Sequence, residues 1–311
     1  MLITFIKLET IIPLMKWNIV IILVITFIVF FILFKGGDIT NNAVTNIINP
    51  GIKGEEEIYY DYLEATIMDV GQGDAILVQH KDDSIVIDCG EDDDKILYEL
   101  TKNLKEKKIE VLILTHAHYD HVGGCDAVIK NHIIDKIIYN GEEYTSKSYE
   151  TFLELSRDIL EKVTQRTEKK LGEITLDIIP PIKLVKNPND NSLITRLSFG
   201  EFDILLTGDC EQECESNLKD INSEVLKIGH HGSTTSSSLD FLDKVDAKYY
   251  VISVGENSYG HPSQLTLNKL NGNSLYRTDL NGDISFKGFV NGDVVVKIEK
   301  QASNEEIFSG L

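Results

Sequence analysis

The sequence predicts an α/β domain preceded by one N-terminal transmembrane helix. Three observations predict it. Residues 17–34 are apolar except for Asn18 and Thr26, short β-type runs alternate with helical segments from residue 63 onward, and several of those runs stop abruptly at histidine or aspartate. The 311 residues are 42% hydrophobic and 26% charged, an ordinary globular balance with length enough for one large core or two modest ones.

A helix needs about 17 to 25 apolar residues to cross a bilayer, and residues 17–34 meet that need. A cleaved signal peptide would have a shorter apolar core followed by small residues of the A-x-A type. Here Lys35, Gly36, Gly37 and Asp38 follow, so residues 1–35 read as a tail and an uncleaved anchor. Lys7 and Lys16 precede the span and Lys35 follows it, a small basic excess that places the N-terminus in the cytoplasm and the rest outside. Residues 36–57, rich in Gly and Asn without periodicity, read as a linker, and 58–311 as the folded domain.

Residues 63–70, 75–80 and 84–88 are β-type runs joined by "GQGD" and "KDDS", which predicts consecutive antiparallel strands. Helical spacing covers 92–110, with Ile96, Leu97, Leu100 and Leu104 on one face, and 146–169. Between them, 111–115 is a continuous apolar run of the kind found mid-sheet. Strands follow at 193–199, 202–207, 225–229 and 249–254, then a β-rich tail with "NGD" turns at 281–283 and 291–293. No internal repeat or low-complexity tract interrupts the pattern. The formal net charge of −20 argues against binding long nucleic acid over a wide basic face.

The strand ends carry the chemistry. "IVID" ends at Asp88, "VLILT" runs into His116, "FDILLTG" into Asp209 and "VLKIG" into His230 and His231. Six of the eight histidines lie in three segments, at 116–121, 230–231 and 261. In "THAHYDH", His116 and His118 are two apart and can point the same way, while Asp120 and His121 can turn to a second position. Imidazole nitrogen with carboxylate oxygen suits zinc or a similar divalent ion, so one loop can serve two metals.

This motif resembles the HxHxDH signature of the metallo-β-lactamase superfamily. Around it, "MDVGQGDAILVQ", "VIDCG", "NDNSLITRLSFGEFDILLTGD", "LKIGHHGSTTSS" and "GENSYGHPS" resemble, in order, the extracellular nuclease-like domain of the competence protein ComEC, over roughly residues 63–290. The resemblance implies a metallo-β-lactamase-like αββα sandwich, with metals at one edge between two sheets, and a hydrolase connected with competence and DNA uptake. It implies two divalent ions, Zn or Mn. His116 and His118 would hold one and Asp120 and His121 the other, with Asp209 bridging and His230 supplying a ligand, although the residues do not decide between His230 and His231. Asp88 would orient a ligand histidine. Asp120, His231 and His261 are the expected participants in catalysis, with His231 or His261 protonating the leaving alkoxide or touching a phosphate oxygen.

The chain departs from the fuller superfamily pattern. Between His121 and Asp209 it has only His132, read as lying inside a helix, so Asn191 is the candidate replacement ligand; an amide oxygen is harder and weaker than imidazole, which favours a loosely held ion or manganese. "GSTTSSS" offers hydroxyls and backbone N–H groups at an expected helix start, a natural phosphate contact. Cys89, Cys125, Cys210 and Cys214 form no zinc set. Cys89 and Cys125 could pair in an exported domain, but buried thiols are the default reading.

The leading functional reading is a membrane-anchored phosphodiesterase or nuclease acting outside the membrane on single-stranded DNA or short oligonucleotides. Hydrolysis of another bond (cell-wall choline phosphate ester, thioester or β-lactam) is the second, and a binding protein with a vestigial metal site the third. Intact ligand motifs argue against the last.

Overall fold

The computed structural model describes residues 61–106 and 108–310. The apolar run at 17–34 and the linker at 36–57 lie outside the described residues, among which no helix is long and apolar enough to cross a membrane.

The chain opens with β1 (Tyr62–Ile67), β2 (Ile76–His80) and β3 (Asp83–Ile87), each antiparallel to the one before, as the turn residues predict. Parallel strands then require crossovers. Helix α1 (Asp93–Asn103) leads to β4 (Lys108–Ile113), α2 (Tyr119–Val122) and α3 (Cys125–Asn131) lead to β5 (Ile133–Tyr139), and α4 (Lys147–Ser156) leads to β6 (Leu160–Lys162). A second antiparallel run follows in β7 (Thr167–Leu171), β8 (Ile174–Ile179), β9 (Ile194–Phe199) and β10 (Phe202–Leu206). Helix α5 (Gln212–Ser216) crosses to β11 (Val225–Lys227), α6 (Leu239–Val245) to β12 (Tyr249–Ile252) and α7 (Gln264–Leu270) to β13 (Ser274–Arg277). After α8 (Thr278–Asn281), β14 (Ile284–Phe289) and β15 (Val294–Ile298) return to the first sheet, and α9 (Asn304–Ile307) ends the described elements.

Eight strands in the order β15-β14-β1-β2-β3-β4-β5-β6 make one sheet, and seven in the order β13-β12-β11-β10-β9-β8-β7 make the other. Leu63, Ile85, Leu197, Phe199, Ile204 and Phe286 pack between them. Ile96, Leu100, Val128 and Phe152 fix α1, α3 and α4 on the outer face of the first sheet. Phe241, Val245, Leu267 and Leu270 fix α6 and α7 on the outer face of the second. Each such buried side chain contributes about 1.5–3 kcal/mol, so three apolar layers hold four layers of structure in the order αββα.

The expected helix at 92–110 is shorter. Asp92 caps α1 by accepting from the backbone N–H groups of Asp94 and Lys95, and Leu104 ends it in an extended conformation. Lys108 then opens β4. The expected helix at 146–169 also splits: α4 stops at Ser156, and β6 and β7 follow. Both are edge strands, and edge strands carry charge against unwanted pairing. Their Lys and Glu residues therefore look helical in sequence; Lys169 and Glu161 in fact join β7 to β6 by an ion pair at 2.7 Å. His132 caps the end of α3 rather than lying within it. The default of buried thiols is also corrected. Cys89 pairs with Cys125 and Cys210 with Cys214, which leaves no free cysteine among the described residues.

Candidate metal centre

Four predicted site segments leave the carboxyl ends of parallel strands. Asp88 follows β3, His116 follows β4, Asp209 follows β10, and His230 and His231 follow β11. Loops there are released from the ladder yet anchored by rigid strands, so their side chains keep fixed separations.

Asp120, His121, Asp209 and His231 each place one ligand-type atom within 4.8 Å of the others, and His116, His118 and Asp209 do the same. Asp209 belongs to both groups, and its two oxygens divide between them. Oδ1 lies 3.3 Å from His121 Nε2 and 3.5 Å from His231 Nε2, while Oδ2 lies 3.9 Å from His116 Nε2. Asp120 Oδ2 is 3.2 Å from His231 Nε2, and His116 Nε2 is 3.1 Å from His118 Nδ1.

The far nitrogens of two histidines are already committed. His121 Nδ1 is 2.7 Å from Asp88 Oδ2, and His231 Nδ1 is 2.8 Å from the Ser253 carbonyl. Both contacts require the proton on Nδ1 and leave an Nε2 lone pair aimed at carboxylates. His121 Nε2, His231 Nε2 and Asp209 Oδ1 are buried without a hydrogen-bond partner. Leaving such groups unpaired costs about 1–3 kcal/mol each, and acceptors facing acceptors are relieved only by a cation or a proton. A divalent ion fits this donor set of imidazole and carboxylate.

The buried Lys227 ammonium stands 4.0 Å from Asp209 Oδ1, and the carboxylates also act on the histidines. Burial would depress His121, but Asp209, Asp88 and Asp120 outweigh it and hold the imidazole well above its ordinary value. Burial likewise opposes His231, whose value is raised by Asp209 and Asp120. Burial would raise the Asp209 carboxyl, yet His231, His121 and His116 hold it well below the usual range. His116, farther from the carboxylates, is pushed well down by burial and by His121.

The local backbone is built for this approach. Gly73 sits at φ +118, where a Cβ would strike the Asp120 carbonyl, and that carbonyl accepts the Asp74 N–H at 3.1 Å. His230 and His231 both adopt φ of 50, a left-handed turn that non-glycine residues rarely enter and that separates the two rings.

Residues 68–256, more than half of the chain, match the Metallo-beta-lactamase superfamily. The chain belongs to that superfamily. Its relatives include competence proteins of the ComEC type. ComE operon protein 3 of Bacillus subtilis is 28% identical over 246 residues, covering 70% of this chain and 32% of that protein. Competence protein ComA of Neisseria gonorrhoeae is 32% identical over 231 residues, covering 69% and 31%. The chain thus spans about a third of the length of these relatives. The metallo-beta-lactamase fold protein YhfI of Bacillus subtilis, at 16% identity and a TM-score of 0.54, covers 73% of this chain and 100% of its own, a likeness of fold.

Within this site the predicted residues are not all brought together. His230 belongs to neither group: its Nε2 lies 3.9 Å from Asp209 Oδ2, its Nδ1 lies 3.0 Å from Glu211 Oε1, and its side chain is 23% exposed. His231 takes the inner place, grouped with Asp120, His121 and Asp209, with its Nδ1 on the Ser253 carbonyl. The Asn191 amide is engaged on the Val185 and Glu142 side. The oxygen accepts the Val185 N–H at 2.7 Å, and the nitrogen donates to Glu142 Oε2 and the Val185 carbonyl, each at 3.0 Å. Asn189 is the asparagine beside His230, its amide nitrogen 3.4 Å from the ring. In "GSTTSSS" Ser236 donates to the Gly229 carbonyl at 2.7 Å and Thr235 to Glu211 Oε1 at 2.8 Å, and α6 starts only after Ser238. Asp88 stands against His121 as described, and His261 lines the cleft with its Nδ1 buried and unpartnered.

Two supporting residues, Lys227 and Glu142, escaped the sequence reading. Lys227, fully buried, forms an ion pair with Asp74 and donates to the Gly208 carbonyl at 2.9 Å, directly behind Asp209. A lysine inside the apolar run "VLKIG" was the available signal. Glu142 accepts the Ala117 N–H at 2.6 Å and so fixes the backbone between His116 and His118. Nothing in "NGEEY" distinguished it from a surface acid.

Proposed function

We propose that this chain is a membrane-anchored, two-metal phosphodiesterase or nuclease that acts outside the membrane on short or single-stranded nucleic acid. The observation that carries the reading is the division of the Asp209 oxygens between two donor groups. His116, His118 and Asp209 Oδ2 would hold one divalent ion, Zn or Mn, and Asp120, His121, His231 and Asp209 Oδ1 the other. When bound, paired ions supply activation of a water and neutralisation of charge on the phosphate. The protein's own part is orientation. Asp88 and the Ser253 carbonyl fix the tautomers of His121 and His231, Glu142 fixes the His116–His118 backbone, and Lys227 offsets the charge of Asp74. His261, which lines the cleft, would be the proton donor to the leaving alkoxide.

The relatives' connection with competence favours nucleic acid over other esters. Two disulfides favour an oxidising compartment, in accord with residues 1–35 as anchor, 36–57 as linker and 58–311 as an exported domain. A substrate panel tests the reading. With Mn²⁺ or Zn²⁺, the protein should cleave a single-stranded oligonucleotide and bis-p-nitrophenyl phosphate and leave nitrocefin intact; turnover of nitrocefin alone would refute it.

A further inference from the structure

The cleft that holds the donor groups is framed by exposed aromatic rings. Among the described residues the exposed tyrosines are Tyr98, Tyr119, Tyr144 and Tyr259, and the last three line this one cleft, with exposures of 58%, 37% and 74%. The Tyr144 ring stands 5.8 Å from the ring of His118, and the Tyr259 ring lies 6.0 Å from that of His261 at an interplanar angle of 28°. No Lys or Arg lines the same cleft.

These facts restrict what the cleft can hold. An acidic site without basic side chains gives a polyanion no purchase on its backbone beyond the metal centre. A large ring left partly or largely in water at a site mouth offers a flat face that is the natural partner of another planar group. Every nucleobase has such a face, and aromatic platforms bind single strands without reading their sequence. A duplex keeps its bases stacked on each other and cannot use these platforms. An aromatic cage for a quaternary ammonium needs converging rings. Here no ring contact joins any two of the three tyrosines, so they are separate platforms.

We infer that Tyr144 and Tyr259, with Tyr119 between the ligand residues His118 and Asp120, form base-stacking subsites that receive the unpaired nucleobases flanking the phosphate at the metal centre. The inference rests on the phosphodiesterase reading and adds to it the side chains that would hold the bases of a single strand. Stacking supplies the affinity that the acidic surface withholds.

The test measures equilibrium binding and cleavage of a short single-stranded oligonucleotide by the full chain, beside a fully abasic strand of equal length that keeps every phosphate. Tyr144→Ala and Tyr259→Ala should each weaken binding of the normal strand at least ~10-fold. Tyr144→Phe and Tyr259→Phe, which keep the ring, should restore it. The abasic strand should bind the parent protein and the alanine variants equally weakly. Alanine variants that bind the normal strand as well as the parent does, or an abasic strand bound as tightly as the normal one, would overturn the inference. Phosphocholine that competes with the strand only in the parent protein, with strand affinity unchanged in the variants, would overturn it in favour of a cage. Ring-dependent binding without cleavage of any phosphodiester supports the stacking subsites and removes the phosphodiesterase reading, so the two fail separately.

Discussion

Replacing Asp88 by Asn isolates what a residue that touches no substrate contributes. The carboxylate is fully buried and accepts three contacts: the Thr115 N–H at 2.8 Å on Oδ1, and the Thr115 hydroxyl and His121 Nδ1, both at 2.7 Å, on Oδ2. An amide of the same shape has one acceptor oxygen and one NH₂ group. Either way round, the NH₂ meets a donor: the Thr115 N–H in one orientation, the hydroxyl and His121 Nδ1 in the other. At least one buried donor is orphaned, at about 1–3 kcal/mol of folding stability. His121 also loses one of the three carboxylates that hold its value up and the partner that fixes its tautomer. Changes of this kind lower metal affinity about 10- to 100-fold, which is about 1.4–2.7 kcal/mol. The assay is metal content at graded free-metal concentrations, with chemical denaturation in chelator alongside. Asp88→Asn should show both losses. A folded variant that holds metal within about 2-fold of the parent would refute the claim that Asp88 positions His121.

Two further predictions concern pH and topology. Glu99 of α1 is buried beside Asp283 and is pushed up to about 7 by burial and by that carboxylate, with Lys102 Nζ 3.2 Å away in partial compensation. Because its folded value lies above its ordinary 4.5, it contributes stability that is present below about 4.5 and lost as pH rises through about 7. Glu99→Gln should therefore gain on the parent by at least ~1 kcal/mol between pH 4.5 and 7.5 in denaturant titrations; a pH-independent difference would contradict this. Protease added to intact cells should remove residues 58–311 and leave the anchor, whereas full protection until lysis would reverse the proposed orientation.

The parts of this molecule legible in its sequence are those where one physical demand dominates. The run at 111–115 is apolar on both faces because β4 lies inside the sheet between β3 and β5, and the ligand quartet in "THAHYDH" is dense enough to announce itself. Where two demands share one composition, the reading fails. β6 and β7 carry Lys and Glu because they are edges, and the same residues favour helices. The choice between His230 and His231 is set by two successive left-handed residues and by the Ser253 carbonyl at the end of β12, neither of which leaves a mark in "GHHGS". Asn191 and Asn189 differ only in which amide the Glu142 and Val185 contacts consume. Lys227 was visible as a charge in an apolar strand, but its partner Asp74 lies in a segment that joins it only through the fold.

The central claim is that the loop from His116 to His121 holds metal for phosphodiester cleavage, and the most direct measurement is turnover of a single-stranded oligonucleotide by His118→Ala at saturating Mn²⁺. His118 sits in a strand-end loop, only half-buried beside Tyr144, so the variant should fold as the parent does. Its kcat should fall by at least ~10², about 2.7 kcal/mol of transition-state stabilisation, because one of the two donor groups is broken. A folded variant that retains the full rate would contradict the account.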